Sequence, residues 1–406
     1  MSRPTSSLAS RQVHTSWFVA VLSILIGFSP LAIDMGLPAM PAMAQAFEAT
    51  QAEIQLSLSA YMVGFCISQV LWGPLGDWLG RRVPVSGGIL LFVIASAGCA
   101  LSSGPHELAA WRFVQAIGAG AAPVLARAMV RDVYAQDEAA RTLSLMMLIM
   151  SGAPMIAPLI GAQLLIHISW QAIYWCLAVF GCIALVALWT VPETLPPDKR
   201  HAHSLRDVAA GYVPLFKSPM FLSYAISSTC FIAALLTYVA ATPFVYIEYF
   251  GLPAQYYGVL FAANIIGMTI FNLVNRRLVR MIGSQRALQW GAITCGFAGV
   301  VLAICGVTGA FGLAGIAVPL FVFLSMNGLV TANAMAGAMS AVPGTAGTAS
   351  GLSGAMQYGA GALLSWLVGV LADGTPSPMV LAIAVMGLGS VLFACVMPRW
   401  LHHKNG

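Results

Sequence analysis

Charge is what this sequence has least of. Asp, Glu, Lys and Arg together make up only 8% of its 406 residues, whereas 59% are hydrophobic. From residue 287 to residue 372 there is no acidic side chain, no basic side chain and no histidine. Soluble domains carry about 25% charged residues, so the composition excludes an ordinary soluble protein. It predicts a chain that crosses a membrane many times.

Catalytic and metal-binding patterns are missing as well. The sequence contains no G-x-x-x-x-G-K-[ST] loop for ATP phosphates, no G-x-S-x-G and no H-E-x-x-H. Its eight cysteines include no C-x-x-C pair. The pairs His201/His203 and His402/His403 lie in polar segments without a third ligand. We therefore expect no ATP use, no metal site and no cofactor, and an enzyme is the weakest interpretation.

Apolar runs long enough to span a bilayer, about 20 residues each, occur twelve times. We predict spans at residues 16–37, 53–75, 83–103, 107–130, 140–166, 169–191, 220–246, 254–275, 286–307, 310–333, 345–371 and 377–398. The only long polar segment, 192–218, follows the sixth run. The predicted fold class is therefore an all-α integral membrane protein with two six-helix halves, 1–191 and 219–406, joined by a cytoplasmic loop. Repeated halves place a binding site near the bilayer midplane between them.

The basic residues test this helix count, because cytoplasmic loops of membrane proteins are enriched in Lys and Arg. With the N-terminus in the cytoplasm, sixteen of the eighteen basic residues fall in predicted inside segments. The outside segments hold acids, namely Glu48, Glu53, Glu107, Glu248 and Asp373. We predict that both termini lie inside, and we assign the net charge of +5 to topology rather than to nucleic-acid binding.

The loop between the second and third predicted spans concentrates glycine and charge. Its distinctive residues are Gly73, Gly76, Asp77, Gly80, Arg81 and Arg82. Glycine permits close backbone approach or a positive φ, and Asp77 is placed to cap the following helix. The segment resembles the G-x-L-a-D-r-x-G-r-[KR] loop of major facilitator superfamily transporters, which implies a cytoplasmic gate. The alternative is an ordinary positively charged turn.

Two charges lie inside predicted spans at similar depth, Asp34 in the first and Arg112 in the fourth. A charge at mid-bilayer costs about 2.5–3.5 kcal/mol, so it usually faces the protein interior and has a partner. One of these two can therefore neutralise the other. A third in-span charge, Arg127, lies closer to the cytoplasmic face.

The segments around these charges, Leu31–Pro41 and Leu108–Ala122, resemble the span-one and span-four motifs of drug:proton antiporters of the superfamily. The resemblance implies that Arg112 takes part in proton coupling and that Asp34 is the protonatable partner. The alternatives are a buried ion pair that only joins the first and fourth spans, or an interfacial acid near the outer headgroups.

The fifth predicted span contains a pattern of small residues and prolines: Pro154, Ala157, Pro158 and Gly161. Small residues allow close helix approach, and prolines bend helices. The pattern resembles the g-x-x-x-G-P-x-x-G-G antiporter motif, with alanine in place of three glycines. The resemblance implies export rather than uptake, and the alternative is a plain packing stripe.

Segments of the second half, such as Thr242–Glu248 and Ala346–Gln357, are similar to those of the bicyclomycin-resistance and chloramphenicol/florfenicol-efflux (Bcr/CflA) family. The resemblance covers about residues 16–400. Polar and aromatic residues within the predicted spans are candidates to line a substrate cavity: Tyr61, Gln115, Tyr238, Asn264, Asn327, Asn333 and Gln357. Each of them can instead make a helix–helix hydrogen bond.

Together these resemblances imply a proton-driven antiporter that exports small amphipathic drugs or related compounds by alternating access. Its partners would be a small-molecule substrate, protons and the lipid bilayer of the inner (cytoplasmic) membrane, without ATP or nucleic acid, and it is expected to be a monomer. One alternative is a metabolite exporter or symporter of the same fold, for an amino acid or a sugar derivative. The other is a sensor, a scaffold or a membrane enzyme.

Overall fold

The computed structural model describes residues 15–134, 136–200, 213–342 and 346–396. Within these ranges all regular structure is helical, without any strand. Both predicted cytoplasmic termini, the middle of the central loop, and the pairs His201/His203 and His402/His403 lie outside the described residues.

The first half begins with a broken helix and continues with five long ones. Their bounds are α1 (Thr15–Ile26), α2 (Phe28–Asp34), α3 (Met40–Ala46), α4 (Gln51–Leu79), α5 (Arg82–Leu101), α6 (Pro105–Val133), α7 (Gln136–His167) and α8 (Trp170–Trp189). A 3-10 turn, Leu37–Ala39, joins α2 to α3. Pro30, Pro38 and Pro41 account for the breaks, because proline has no N–H to donate and its ring clashes with the preceding turn.

The second half contains three stretches of π-helix. Its helices are α9 (Pro219–Pro243), α10 (Ala254–Ile282), α11 (Ser284–Thr308), α12 (Gly312–Ser325), α13 (Asn333–Ala341), α14 (Ala346–Val370) and α15 (Ser377–Val391). The π-helical stretches Phe244–Tyr249 and Leu392–Val396 extend α9 and α15, and Gly328–Ala332 joins α12 to α13. Such turns are rare, and they occur frequently at functional sites.

The helices follow the order predicted for twelve spans of an all-α membrane protein. Ten described segments are long and apolar enough to cross a membrane. The fifth predicted span corresponds to α7, whose apolar part is Gly152–His167. The eleventh corresponds to the 25-residue helix α14. Several helices are longer than predicted, because they continue past their apolar cores into polar ends; α10, for example, reaches Ile282 rather than residue 275.

Helices pack mainly within residues 15–200 or within residues 213–396, and the most extensive contacts between these groups are those of α4 with α14 and of α7 with α10. Within the first group, small residues bring α4 close to α6. A Cβ on Gly64 would overlap the Phe113 carbonyl oxygen, and one on Gly120 would overlap the Ser68 side chain. The boundaries 1–191, 192–218 and 219–406 stay a prediction.

The bundle has a basic end and an acidic end, named here by their loops. The basic end holds Arg81, Arg82, Arg131, Arg276, Arg277, Arg280 and Arg286, and the acidic end holds Glu48, Glu53, Glu107, Glu248 and Asp373. The loops that carry the acids lie close together in the structure. For example, His106 Nε2, next to Glu107, lies 3.9 Å from Glu53 Oε1. This segregation agrees with the topology predicted from sequence, while the assignment of the basic end to the cytoplasm rests on the positive-inside rule.

Candidate functional site

A cavity of about 850 Å³ lies between the two groups of helices. Helices α1, α2, α4, α6 and α7 form one side of its wall, and α9, α10, α12, α13 and α14 form the other. Its polar lining residues are Ser29, Asp34, Gln69, Arg127, Arg131, Tyr238, Asn264, Ser350, Gln357 and Tyr358. A mainly apolar cavity of this size with a few polar groups fits a small amphipathic molecule.

The cavity is closed toward the acidic end by tight contacts between the two groups of helices. Gly369 of α14 packs against Ala52 and Gln55 of α4, and Gly258 of α10 packs against Leu159 of α7. A Cβ on either glycine would collide with these neighbours. Toward the basic end, by contrast, the cavity lining extends to Arg131 and Met339.

Gln55 is an unusual component of this closure. Its side chain is fully buried, and within the described part of the chain neither its amide nitrogen nor its amide oxygen has a hydrogen-bond partner. Burying such groups unpaired is costly.

Asp34 is the acid in the cavity wall. It is the last residue of α2, where the first apolar segment is broken, and the residue is only 7% exposed. Among the described residues, no hydrogen bond or salt bridge involves its carboxylate. An unpaired carboxylate is costly in an apolar wall, so this position is suited to binding a proton or a cation.

Arg112 lies behind the cavity rather than in it. Its Nη1 donates to the Ala32 carbonyl oxygen at 2.9 Å and to Gln115 Oε1 at 2.7 Å. Its Cζ lies 4.4 Å from the centre of the Tyr61 ring, a cation–π contact. No salt bridge joins Arg112 to Asp34 in the described structure, so the predicted mutual neutralisation is not formed. Arg112 instead fixes the backbone two residues before Asp34.

Three of the seven predicted cavity residues, Tyr238, Asn264 and Gln357, line the cavity. Asn264 Nδ2 donates to the Tyr238 hydroxyl at 2.7 Å, and Gln357 Nε2 donates to Ser228 Oγ at 2.7 Å. These hydrogen bonds orient polar groups in an otherwise apolar wall.

The other four candidates, Tyr61, Gln115, Asn327 and Asn333, lie outside the cavity lining. Gln115 Nε2 donates to Ser96 Oγ at 2.8 Å, and Asn333 Nδ2 donates to Asn275 Oδ1 at 2.8 Å. The backbone carbonyl oxygen of Asn327 accepts a hydrogen bond from Thr331 Oγ1, four residues later in the chain. Gln115 and Asn333 therefore make hydrogen bonds between helices, which was the alternative to a place in the cavity wall.

Several polar cavity residues were not placed there by the sequence analysis, among them Gln69, Arg127 and Arg131. A signal was available for the two arginines. Pro123, Arg127 and Arg131 are spaced four apart, and residues at that spacing share one face of a helix. All three line the cavity.

The α4–α5 loop forms a paired network at the basic end. Arg81 Nη1 lies 2.6 Å from Asp77 Oδ1, and Arg81 Nε lies 2.8 Å from Asp132 Oδ2. Glu193, in the segment after α8, accepts the backbone N–H groups of Arg81 at 2.9 Å and Arg82 at 3.0 Å. The predicted capping by Asp77 is wrong, because this residue lies within α4 and its carboxylate binds Arg81.

Close packing explains two glycines of this loop. Gly80 has a φ of +90°, and a Cβ there would crowd the Glu193 carboxylate. A Cβ on Gly76 would overlap the Leu125 side chain, whereas one on Gly73 would meet nothing within 4 Å.

Burial and hydrogen bonding compete at both charged centres of the network. Burial disfavours the charged form of Arg81, but Asp132 and Asp77 outweigh it, so the pKa of Arg81 is raised. Burial also disfavours the ionised form of Glu193, but backbone N–H groups, including those of Leu195 and Arg81, outweigh it, so the pKa of Glu193 is lowered. The structure therefore favours the charged form of both groups.

We expect Glu193→Gln to destabilise the protein by about 1 kcal/mol near neutral pH, since a neutral amide accepts backbone hydrogen bonds less strongly than a carboxylate. A lowered folded pKa contributes stability above the unfolded pKa, and this contribution is lost as the pH falls through the folded pKa. The wild-type advantage in thermal unfolding should therefore stay constant from about pH 7 to about pH 5 and shrink as the pH falls below about 4. Glu138→Gln, at an exposed acid of the same end, is the control, and equal melting of both variants would contradict the prediction.

The span-five residues lie beside the cavity and beside Asp34. Pro154 lines the cavity, and Ala157 and Pro158 are buried. Gly161 packs on the backbone of Met35, the residue that follows Asp34; a Cβ there would overlap the Met35 carbonyl oxygen. This motif therefore sets how closely α7 approaches the break in the first segment.

Comparison with known proteins agrees with this architecture. The sequence pattern of the Major Facilitator Superfamily matches residues 22–365. The "Bicyclomycin resistance protein homolog" of Haemophilus influenzae is 27% identical over 94% of this chain and 96% of its own length. The "Multidrug resistance protein MdtL" of Shigella flexneri is 26% identical over 93% of this chain and 95% of its own length.

The fold is similar to that of solved transporters. The crystal structure of a D-xylose-proton symporter superposes with a TM-score of 0.74 at 15% identity, covering 94% of this chain and 97% of that one. At such identity the likeness shows the fold alone. The family match nevertheless covers most of the chain, and the helices enclose a cavity between two groups. This chain therefore belongs to the major facilitator superfamily and is a multi-pass membrane transporter of small molecules, not an enzyme.

Proposed function

We propose that this protein exports small amphipathic compounds across the cytoplasmic membrane in exchange for protons, by alternating access. The observation that carries the proposal is the Asp34 carboxylate, which faces the cavity and has no hydrogen-bond or ionic partner among the described residues. The names of two relatives refer to bicyclomycin resistance and multidrug resistance, which supports a drug-like cargo.

The shape of the cavity supports loading from the cytoplasm. The cavity wall extends to Arg131 and Met339 near the basic end, and the positive-inside rule assigns that end to the cytoplasm. The opposite end is sealed by the α4–α14 and α7–α10 contacts. Export then requires these contacts to separate while the basic end closes.

Asp34 provides the coupling in this scheme. In the form that is open toward the basic end, Asp34 releases its proton to the cytoplasm, and cargo enters the cavity from the same side. Once cargo has left outside, a proton neutralises Asp34 and favours return to the form open toward the basic end. Each proton that moves inward contributes about 2.3 kcal/mol per 100 mV of membrane potential. Arg112 acts as a positioning residue, because it holds the backbone just before Asp34.

Everted membrane vesicles test the proposal directly. A drug-susceptibility panel in an efflux-deficient host selects the cargo, and respiring vesicles then report its uptake and the pH gradient. We expect cargo to dissipate part of the gradient, and a protonophore to stop uptake, relative to vesicles without the protein. Cargo uptake that is unchanged by the protonophore would contradict proton coupling. Movement of cargo and protons in the same direction would favour the metabolite symporter instead.

A further inference from the structure

A second charged group faces the same cavity, nearer the basic end. Arg127 of α6 lines the wall with Pro123 one turn before it and Arg131 one turn after it. The opposite face of this helix, with Leu125, Ala126 and Met129, is buried in the first half. Helix α6 therefore presents its cationic residues to the cavity rather than to lipid or to its neighbouring helices.

Arg127 has no acidic partner in the part of the chain that the structure describes. The nearby acids are already engaged: Asp77 and Asp132 bind Arg81, and Glu193 accepts backbone N–H groups. Among the lining residues, two guanidinium groups therefore face the single carboxylate of Asp34, which leaves the wall with a net charge of +1. An uncompensated cation in such a place is costly unless something else pairs with it.

Neighbouring polar groups of the wall point to the same kind of ligand. The amide nitrogen of Gln69 is a buried donor without an acceptor in the described structure. Tyr358 adds a hydroxyl group to the same wall. The wall therefore combines a donor without an acceptor, at Gln69, and two cations with the carboxylate of Asp34.

We infer that Arg127 binds an anionic group of the cargo, so that the exported compounds are amphipaths with a carboxylate, sulfonate or phosphonate. The planar guanidinium offers paired N–H donors that match such groups. Methionine side chains adapt to varied apolar bodies, and Met268, Met335 and Met339 line the remaining wall. The inference rests on the proposed function, since it takes the cavity as the cargo site and names the class of cargo.

Two probes that differ only in charge test this site. Dansyl-β-alanine carries a carboxylate, and its amide is neutral. We would measure the binding of each to the full-length protein in phosphatidylcholine nanodiscs by dansyl fluorescence, without any proton gradient. The wild type should bind the carboxylate about tenfold more tightly than the amide.

Arg127→Gln should abolish this preference and leave the affinity for the amide unchanged, which also shows that the variant is folded. Arg127→Lys should retain part of the preference. Arg277→Gln, at an exposed arginine of the basic end that does not line the cavity, is the matched control and should change it by less than about twofold.

Equal affinity for both probes, no binding of either, or an unchanged preference in Arg127→Gln would overturn the anion site. An anionic lipid headgroup has the same chemistry, so the measurement is repeated with phosphatidylglycerol in the nanodiscs. Loss of carboxylate binding there would assign the site to lipid and overturn the assignment to cargo. Because no gradient is used, a retained preference in a protein that shows no proton exchange would refute the proposed function alone.

Discussion

Asp34→Asn is expected to reduce gradient-driven export to the level of vesicles that lack the protein. Asparagine keeps the size of the side chain and removes the group that binds and releases a proton. Exchange of cargo down its own gradient should persist, because the uncharged amide leaves the cavity shape intact. Everted vesicles with and without a pH gradient separate the two activities.

Glu248→Gln is the matched control, since Glu248 is an exposed acid at the acidic end and does not line the cavity. It should transport like the wild type. Full gradient-driven export by Asp34→Asn would show that another group carries the proton. Loss of both activities, with normal folding, would show that Asp34 binds cargo rather than protons.

Gly161→Ala is expected to have the second-largest effect, although it adds a single methyl group. The new Cβ would overlap the backbone of Met35, so α7 must move away from the break that follows α2. Overpacking of this kind costs about 1–3 kcal/mol. The displaced backbone adjoins Asp34, so we expect lower transport together with a lower unfolding temperature in detergent.

The same helix offers a control. A Cβ on Gly152 would meet nothing within 4 Å, so Gly152→Ala should leave stability and transport nearly unchanged. If the two alanine variants behaved alike, the close contact between α7 and Met35 would have no role.

The fold was predictable because the bilayer imposes it. Apolar runs of sufficient length must be helices, and the segregation of basic and acidic loops fixed their alternation. The broken first segment was less accessible, although Pro38 and Pro41 were visible in the sequence. The α4–α5 loop was predicted as a site, but its pairing was not: Glu193 contacts Arg81 from 112 positions away, and no local pattern reports such a contact.

The relation between Asp34 and Arg112 shows why depth alone does not predict a pair. Both residues were correctly expected near one another, since Arg112 donates to the carbonyl oxygen of Ala32. Side-chain direction decided the rest: Asp34 faces the cavity, and Arg112 faces Tyr61 and Gln115. For Arg127, by contrast, side-chain direction could be predicted. Its four-residue spacing from Pro123 and Arg131 was visible in the sequence, and all three residues line the cavity.

The unpaired amide of Gln55 has a consequence for the step of the proposed transport cycle in which the acidic end opens. Leaving a buried donor or acceptor unsatisfied costs about 1–3 kcal/mol, so closing α4 on α14 dehydrates this side chain without compensation. Water that reaches Gln55 when the acidic end parts recovers that energy, and separating Gln55 from Gly369 breaks no hydrogen bond. The closure at the acidic end is thus held by packing alone at this point, and under the proposed alternating access the unpaired amide lowers the energetic cost of opening it.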